Sequence, residues 1–364
     1  MNSKDALKKS RRTAGNFSDR RAGHPRLGHR RIRKNSESGN VYAALDLGTN
    51  NCRLLVARAS KNGFRIVNSF SRIVRLGEGM RKTHYLSEEA MERTLQALQI
   101  CKSKLQNSNV TRSRLIATEA CRSAKNGREF AKRVEELLGL ELEIIDHETE
   151  AYLAVAGCAS LIDPRAESCI IFDIGGGSTE IAWLEGTLGG PLADPKDNIR
   201  VWDSIPAGVV SLAEEYDGHN VTRASYEAMV ESITEKLAGF AEKAKGAENA
   251  PYFHLLGTSG TVTTLGGIYL GLPKYDRRRV DGLWMTEQDM TDIINRLIQM
   301  SYEERVANPC IGTERADLVL AGCAILDAIR RTFPSRFLRI ADRGLREGIL
   351  MTMMREDGVW HQGA

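Results

Sequence analysis

A strand that runs into a glycine turn is encoded in Val41-Tyr42-Ala43-Ala44-Leu45-Asp46-Leu47-Gly48-Thr49-Asn50-Asn51. The arrangement returns in Ser168-Cys169-Ile170-Ile171-Phe172-Asp173-Ile174-Gly175-Gly176-Gly177-Ser178-Thr179-Glu180. In both, an apolar run typical of a buried strand ends in an acidic residue, and the glycines after it can take positive φ and point backbone N–H groups at an anion. The carboxylate can hold a hard cation. We therefore predict two similar lobes that hold one phosphate-bearing ligand between them.

The composition indicates a globular protein of the cytoplasm. The chain has 364 residues, 42% of them hydrophobic, which is enough for two domains. No apolar run approaches the roughly 20 residues of a membrane helix, and the N-terminus lacks the apolar segment of a secretory signal, so we expect no membrane contact. The seven cysteines are never spaced as Cys-x-x-Cys, which favours buried thiols in a reducing compartment.

Positive charge is concentrated at the N-terminus. Residues 1–40 contain twelve Lys and Arg against three acidic residues, a local charge of +9, so the remainder carries −5. This segment lacks apolar periodicity, and we predict a disordered basic tail. Three interpretations stay open: a solvated or cleavable extension, an electrostatic arm for a polyanion such as polyphosphate or RNA, and a mitochondrial presequence. The last is the weakest, because Asp5 and the missing amphipathic pattern count against it.

Strands and helices alternate from residue 41 onward, which predicts an α/β fold. Asn62-Gly63 is a hairpin signal, Ser87 begins a helix and Gly139 ends another. The predicted elements also include a strand at Leu142–Ile145 and helices at Glu148–Ala159, Glu287–Gln299, Glu314–Arg330 and Leu345–Met354. Asp163-Pro164 marks a boundary, which gives a first lobe at 41–163, a second at 164–355 and a C-terminal tail at 356–364.

Further motifs follow the two turns in order along the chain. They include Arg75-Leu76-Gly77-Glu78-Gly79, Ala117-Thr118-Glu119-Ala120-Cys121-Arg122, Glu150-Ala151-x-Leu153, Pro206-Ala207-Gly208-Val209, Gly257-Thr258-Ser259-Gly260-Thr261, Glu314-Arg315-Ala316 and Asp342-x-Gly344-Leu345-Arg346-Glu347-Gly348. Together the motifs resemble the exopolyphosphatase and guanosine pentaphosphate phosphatase (Ppx/GppA) family over roughly residues 41–355. That family belongs to the actin-like ATPase superfamily. The resemblance implies two actin-like (ribonuclease H-like) lobes with a cleft between them, in the short form that lacks a helical C-terminal domain.

The resemblance also implies the residues of the site. Glu150 would activate the attacking water as general base, and Asp173 and Glu180 would hold Mg²⁺. The residues expected to contact phosphate are Gly48, Thr49, Asn50, Arg122, Gly175, Gly176, Gly177, Ser178, Gly208, Gly260 and Thr261.

These roles have simpler structural alternatives. The glycines could form a plain tight turn, and Arg122 could make a surface ion pair with Glu119 or Glu129. Glu150 could lie in the first turn of a helix, where a carboxylate interacts favourably with the helix dipole. Gly257–Gly267 could be a strand-to-helix turn that packs apolar side chains.

The chain departs from the family pattern at several positions. Asn51 replaces a usual Ser, Asp146-His147 stands where Ser-Gly is usual, and Thr149 stands where a second Glu is common. The histidines at 84, 147, 219, 254 and 361 show no metal-ligand spacing, and we interpret them as ordinary surface or core residues.

The activity implied is Mg²⁺-dependent hydrolysis of the terminal phosphoanhydride of inorganic polyphosphate, with release of orthophosphate. Guanosine pentaphosphate is the alternative substrate, because it presents the same bond to the same cleft. A polyphosphate-, nucleotide- or RNA-binding module with little turnover is a third hypothesis, and a homodimer partner is also considered. A sugar kinase is disfavoured, since no sugar-binding signature is evident.

Overall fold

The computed structural model describes residues 40–61, 63–186, 188 and 194–360. Its strands are β1 (Val41–Leu47), β2 (Asn51–Ser60), β3 (Gly63–Ile73), β4 (Arg112–Ala117), β5 (Glu143–Ile144), β6 (Ser168–Ile174), β7 (Thr179–Glu185), β8 (Ile199–Ile205), β9 (His254–Thr258), β10 (Trp284–Thr286) and β11 (Phe337–Ala341). Its α-helices are α1 (Met80–Thr83), α2 (Glu88–Asn107), α3 (Glu119–Ser123), α4 (Gly127–Leu138), α5 (His147–Cys158), α6 (Val209–Tyr216), α7 (Arg223–Lys243), α8 (Ser259–Tyr269), α9 (Arg277–Val280), α10 (Glu287–Gln299), α11 (Tyr302–Ala307), α12 (Val319–Thr332) and α13 (Leu345–Glu356). The predicted basic tail, except Asn40, and the last four residues of the predicted C-terminal tail lie outside the described residues.

The two sheets share one topology. The first has the order β3-β2-β1-β4-β5, and the second repeats it as β8-β7-β6-β9-β11 with β10 added at its edge. In each, an antiparallel meander of three strands is extended by two parallel strands. The predicted α/β class with two similar lobes is therefore confirmed.

Helices α5 and α13 lie between the two sheets. Ile349 of α13 packs with Tyr42 of the first sheet, whereas Val155 of α5 packs with residues of the second. The helices cross in close contact, because a Cβ on Gly157 would lie 2.0 Å from the carbonyl oxygen of Gly344. This crossing fixes α5, which carries the predicted general base. The lobe boundary at 163/164 stays a prediction.

Two predicted elements differ from the structure. The strand expected at Leu142–Ile145 is only β5 (Glu143–Ile144), and the helix expected from Glu314 begins at Val319. The later start of α12 is explained by the buried side chain of Arg305. Its Nη1 donates to the carbonyl of Ala316 at 2.7 Å, so this carbonyl accepts from a side chain instead of from a backbone N–H of the helix. Residues 314–318 therefore form turns instead. Among the described residues, no helix combines the length and the apolar character needed to cross a bilayer.

Candidate active site

The two glycine turns have the same geometry. Asp46 lies opposite Arg53 in the β1–β2 ladder, and Asp173 lies opposite Glu180 in the β6–β7 ladder. The N–H of Gly48 donates to the carbonyl of Asn51 at 2.9 Å, and the equivalent bond in the second turn has the same length. The two turns therefore correspond residue by residue, and their main chemical difference is a cation against an anion at the cross-strand position.

The glycines of the second turn are required for space. The glycines were expected to be able to take positive φ, but none of Gly48, Gly175, Gly176 and Gly177 uses that freedom in the structure. A Cβ on Gly176 would lie 2.9 Å from Cβ of Thr49, and a Cβ on Gly177 would lie 2.8 Å from Oγ1 of Thr49. The second turn can therefore approach the first only because it lacks side chains.

Backbone N–H groups of both turns face the space between them. The carbonyl of Thr49 accepts from the N–H of Gly77, and the carbonyls of Gly175 and Gly176 accept from the first N–H groups of α6. Since N–H and C=O point in opposite directions across a trans peptide, the N–H groups of Asn50, Gly176 and Gly177 point the other way. In the described part of the chain these three N–H groups donate to no acceptor, which makes them suited to an anion.

A cavity of about 110 Å³ lies between the turns. Its wall includes every predicted site residue except Arg122 and Gly208, namely Gly48, Thr49, Asn50, Glu150, Asp173, Gly175, Gly176, Gly177, Ser178, Glu180, Gly260 and Thr261. The structure thus brings together residues that are up to 213 positions apart in the chain.

Gly208 lies behind the second turn and does not line this cavity. A Cβ at Gly208 would lie 2.3 Å from the carbonyl carbon of Gly176, so the glycine permits close packing of α6 against the turn. Gly208 precedes the N–H groups that hold the carbonyls of Gly175 and Gly176, and its expected contact with phosphate stays a prediction.

Buried carboxylates dominate the electrostatics of the cavity. Burial, followed by the charge of Glu180, raises the pKa of Asp173 to about 7. The same two causes raise the pKa of Glu150 well above its ordinary value, and burial raises the pKa of Glu180 despite hydrogen bonds from Ser178 and Ser204. These pKa shifts show that the carboxylates repel one another and would be stabilised by a cation.

Arg122 lies beside this acidic cluster, at the edge of the cavity. Its Nη2 is 2.8 Å from Glu119 Oε2, 2.9 Å from Glu150 Oε2 and 3.0 Å from His147 Nδ1. Arg122 Nη1 donates to the carbonyl of Ile145 at 2.7 Å, while its buried Nε has no partner among the residues that the structure describes. The ion pair with Glu119, an alternative considered from the sequence, is thus present, and one donor remains for a ligand.

His147, Glu150 and Glu180 form a group that can hold a metal ion. One nitrogen or oxygen atom from each lies within 4.8 Å of the others. From the sequence, His147 was interpreted as an ordinary residue, because the spacing of the histidines did not indicate a metal site. The departure from Ser-Gly at Asp146-His147 could have indicated one, since it places an imidazole close to the predicted base.

A larger cavity of about 700 Å³ adjoins the first and shares Asp46, Asp173, Arg53 and Arg315 with it. Six arginines line it, namely Arg53, Arg72, Arg277, Arg315, Arg343 and Arg346. Among the described residues, Arg53, Arg315 and Arg346 make no salt bridge to a carboxylate. Burial, and to a smaller degree the charge of Arg53, lower the pKa values of Arg315 and Arg346, so an anion bound beside these two arginines would stabilise their charged forms.

Arg53, which lines both cavities, was not among the residues predicted from the sequence. Arg53 follows Asp46 by seven positions, which is the spacing between Asp173 and Glu180. Counting the same interval in both turns would have found it.

Comparison with known proteins supplies the family. The model of the Ppx/GppA phosphatase family matches residues 55–357. A solved member of that family from Aquifex aeolicus is 29% identical with a TM-score of 0.70, and the match covers 87% of this chain and 98% of the other. An exopolyphosphatase-like protein is 28% identical with a TM-score of 0.74 over 87% of this chain and 99% of its own. An exopolyphosphatase from Cytophaga hutchinsonii, 23% identical over 87% of this chain and 98% of its own, shares the fold with a TM-score of 0.78.

The expected actin-like arrangement of two lobes is confirmed by these structures. The motifs, the shared sheet topology and the cleft between two turns agree with the comparisons, and the chain belongs to the Ppx/GppA phosphatase family.

Proposed function

We propose that this protein hydrolyses the terminal phosphoanhydride of inorganic polyphosphate with Mg²⁺ and releases orthophosphate. The observation that supports this most is the small cavity that is lined by both turns together with the buried Glu150 and Glu180 and the half-buried Asp173. Hydrolysis of a phosphoanhydride needs charge neutralisation, a positioned water and a base, and these residues can supply each of them. Ser178, Gly260 and Thr261 are proposed as further phosphate contacts.

The residues of the second turn fit Mg²⁺. Asp173 and Glu180 lie opposite each other on neighbouring strands, and burial raises the pKa of both, with the charge of Glu180 as a second cause for Asp173. Mg²⁺ binds through one or two carboxylates together with water and phosphate oxygens. When bound, the ion would neutralise charge that develops on the transferred phosphoryl group.

Glu150 is proposed as the base. Its side chain is buried, with 8% exposure, and the raised pKa makes the carboxylate a stronger base than one in water. A water held by Glu150 attacks the terminal phosphorus as the bond to the bridging oxygen breaks. The water proton passes to Glu150, and the shortened polyphosphate leaves as an anion. Arg122, with its unpartnered Nε, is proposed to turn to the terminal phosphate.

The larger cavity supports polyphosphate as the substrate. Within the described residues Arg53, Arg315 and Arg346 form no salt bridge, and their cationic groups lie next to the proposed point of cleavage. A linear chain of phosphates would place an anion along this wall after each cleavage. Guanosine pentaphosphate is the second candidate, because about 700 Å³ and the rings of Phe70 and Tyr275 could accommodate a nucleoside.

We further propose a cytoplasmic location. All seven cysteines are free and buried, which supports a reducing compartment.

The test is orthophosphate release by the full chain with Mg²⁺, measured on long-chain polyphosphate, tripolyphosphate, guanosine pentaphosphate and ATP. Rapid release from long chains supports the proposal, whereas preference for the pentaphosphate supports the second candidate. The Glu150→Gln variant serves as the blank for contaminating phosphatases. No release from any substrate by folded protein would overturn both candidates and favour a binding module.

A further inference from the structure

We propose that His147, Glu150 and Glu180 form a site for a borderline divalent transition-metal ion, with Zn²⁺ and Co²⁺ as the class. This site would use an imidazole nitrogen, which the proposed Mg²⁺ site at Asp173 and Glu180 does not. Its existence does not depend on the proposed function, although its effect on catalysis does.

The fold brings the three side chains to one point. His147 and Glu150 lie three residues apart near the start of α5 and therefore on the same face of the helix. Glu180 comes from β7, and the three ligand atoms lie within 4.8 Å of one another. Asp146 caps the helix by accepting from the N–H of Thr149 at 2.8 Å, which fixes the backbone at His147.

The lone pairs at this point already face a cation. Arg122 Nη2 lies 3.0 Å from His147 Nδ1 and 2.9 Å from Glu150 Oε2. A guanidinium N–H only donates, so the Nδ1 atom of His147 presents its lone pair to that position. A metal ion requires the same lone pair.

Arg122 satisfies this position incompletely. Glu150 is 92% buried, yet its Oε2 accepts no well-aligned hydrogen bond from Arg122 or any other described residue. An ion at this position would displace Nη2, which is also the atom that contacts Glu119 Oε2, while Nη1 would keep its hydrogen bond to the carbonyl of Ile145. The guanidinium would therefore stay anchored through Nη1 when the ion binds.

The donor set selects the class of ion. Imidazole nitrogen and carboxylate oxygen are both ligands that Zn²⁺ accepts, and three of them leave a fourth position open, whereas Mg²⁺ prefers oxygen ligands only. Ligands about 2.0–2.2 Å from an ion are closer together than 4.8 Å, so the side chains must move inward. His147 can do so, because its side chain is 42% exposed.

An ion in this site would occupy the oxygen of Glu150 that is proposed to act as base. If the proposed function is correct, Zn²⁺ should therefore inhibit phosphate release in the presence of Mg²⁺.

The deciding experiment is a Co²⁺ titration of the full chain in excess Mg²⁺, followed by visible absorption and by calorimetry. We expect the wild type to bind one more equivalent of Co²⁺ than His147→Gln, with the absorption of a nitrogen- and oxygen-ligated ion. His84→Gln is the matched control, because His84 is exposed and distant from the carboxylates in sequence, and it should bind as the wild type does. Circular dichroism checks that each variant is folded.

Equal Co²⁺ binding by the wild type and His147→Gln would overturn the proposal. So would the absence of stoichiometric binding to the wild type. In the activity arm, the Zn²⁺ concentration for half inhibition, measured against each variant's own rate, should rise at least about tenfold in His147→Gln. If no phosphate is released at all, the proposed function fails, and the Co²⁺ titration still decides this inference.

Discussion

The turn at 46–53 and the turn at 173–180 share one backbone and differ in chemistry. The cross-strand partner of Asp46 is Arg53, whereas that of Asp173 is Glu180. The first turn carries side chains at Thr49 and Asn50, where the second has glycines. One lobe thus contributes a local balance of charge, and the other concentrates negative charge that a cation can neutralise. The same backbone turn thus pairs Asp46 with a cation in one lobe and Asp173 with an anion in the other, so only the second turn offers two carboxylates to the proposed metal ion.

The largest effect on turnover is expected from the replacement of Glu150, the proposed base. Glu150→Gln keeps the shape of the side chain but cannot accept a proton, so turnover should fall by about 10²–10⁴-fold. Polyphosphate binding should remain close to that of the wild type, because the N–H groups of both turns are untouched. Single-turnover phosphate release and calorimetry with tripolyphosphate separate the two quantities. Turnover within a few-fold of wild type would remove Glu150 as the base.

A matched pair of substitutions tests whether Glu180 serves Mg²⁺ binding and Arg53 serves substrate binding. Glu180→Gln should weaken activation by Mg²⁺ by about 100-fold, the scale of a few kcal/mol of attraction lost between a divalent ion and a carboxylate. Arg53→Gln should leave the Mg²⁺ dependence unchanged and instead raise KM for polyphosphate, because Arg53 lines both cavities. The measurement is phosphate release over a grid of Mg²⁺ and substrate concentrations. Weaker activation by Mg²⁺ in both variants would contradict these separate roles of Glu180 and Arg53.

A smaller effect is expected from exchanging side chains between the turns. Gly176→Ala places a Cβ 2.9 Å from Cβ of Thr49 and should cost about 1–3 kcal/mol of unfolding free energy. In the Thr49→Gly background that cost should shrink, although Asn50 remains close. Urea unfolding of the four proteins in this double-mutant cycle measures the coupling. An unchanged cost of Gly176→Ala in both backgrounds would mean that the two turns are not in contact.

The residues of each turn could be predicted from the sequence, but the contact between the two turns could not. Asp173, Glu180 and the glycines could be identified because each lies at a strand end, where local pattern is informative. The reason for the glycines was misjudged, since the constraint comes from Thr49, which is more than 120 positions away in the chain. The packing of Gly208 against the second turn was not foreseen for the same reason, because its neighbour Gly176 belongs to another segment. Arg53 could have been found by counting the same interval in both turns, whereas the proximity of His147 to Glu180 depends on how distant segments fold together and is absent from local periodicity.

The smallest effect is a dependence of stability on pH, which we expect from the carboxylate of Asp173 in the second turn. Because the pKa of Asp173 is raised from an ordinary 3.8 to about 7, the folded protein holds a proton there that the unfolded chain has lost between these pH values. Stability without metal should therefore fall as pH rises through this window, and the loss should be complete above about pH 7. Asp173→Asn removes the ionisation, so in EDTA the variant should melt about 2–4 °C above wild type at pH 8. The difference should shrink toward pH 5. Mg²⁺ should raise the melting temperature of the wild type at pH 8 and have little effect on Asp173→Asn. Calorimetric melts across pH 5–8 measure this, and a difference that stays constant with pH would mean that Asp173 ionises normally despite the negative charge gathered at its turn.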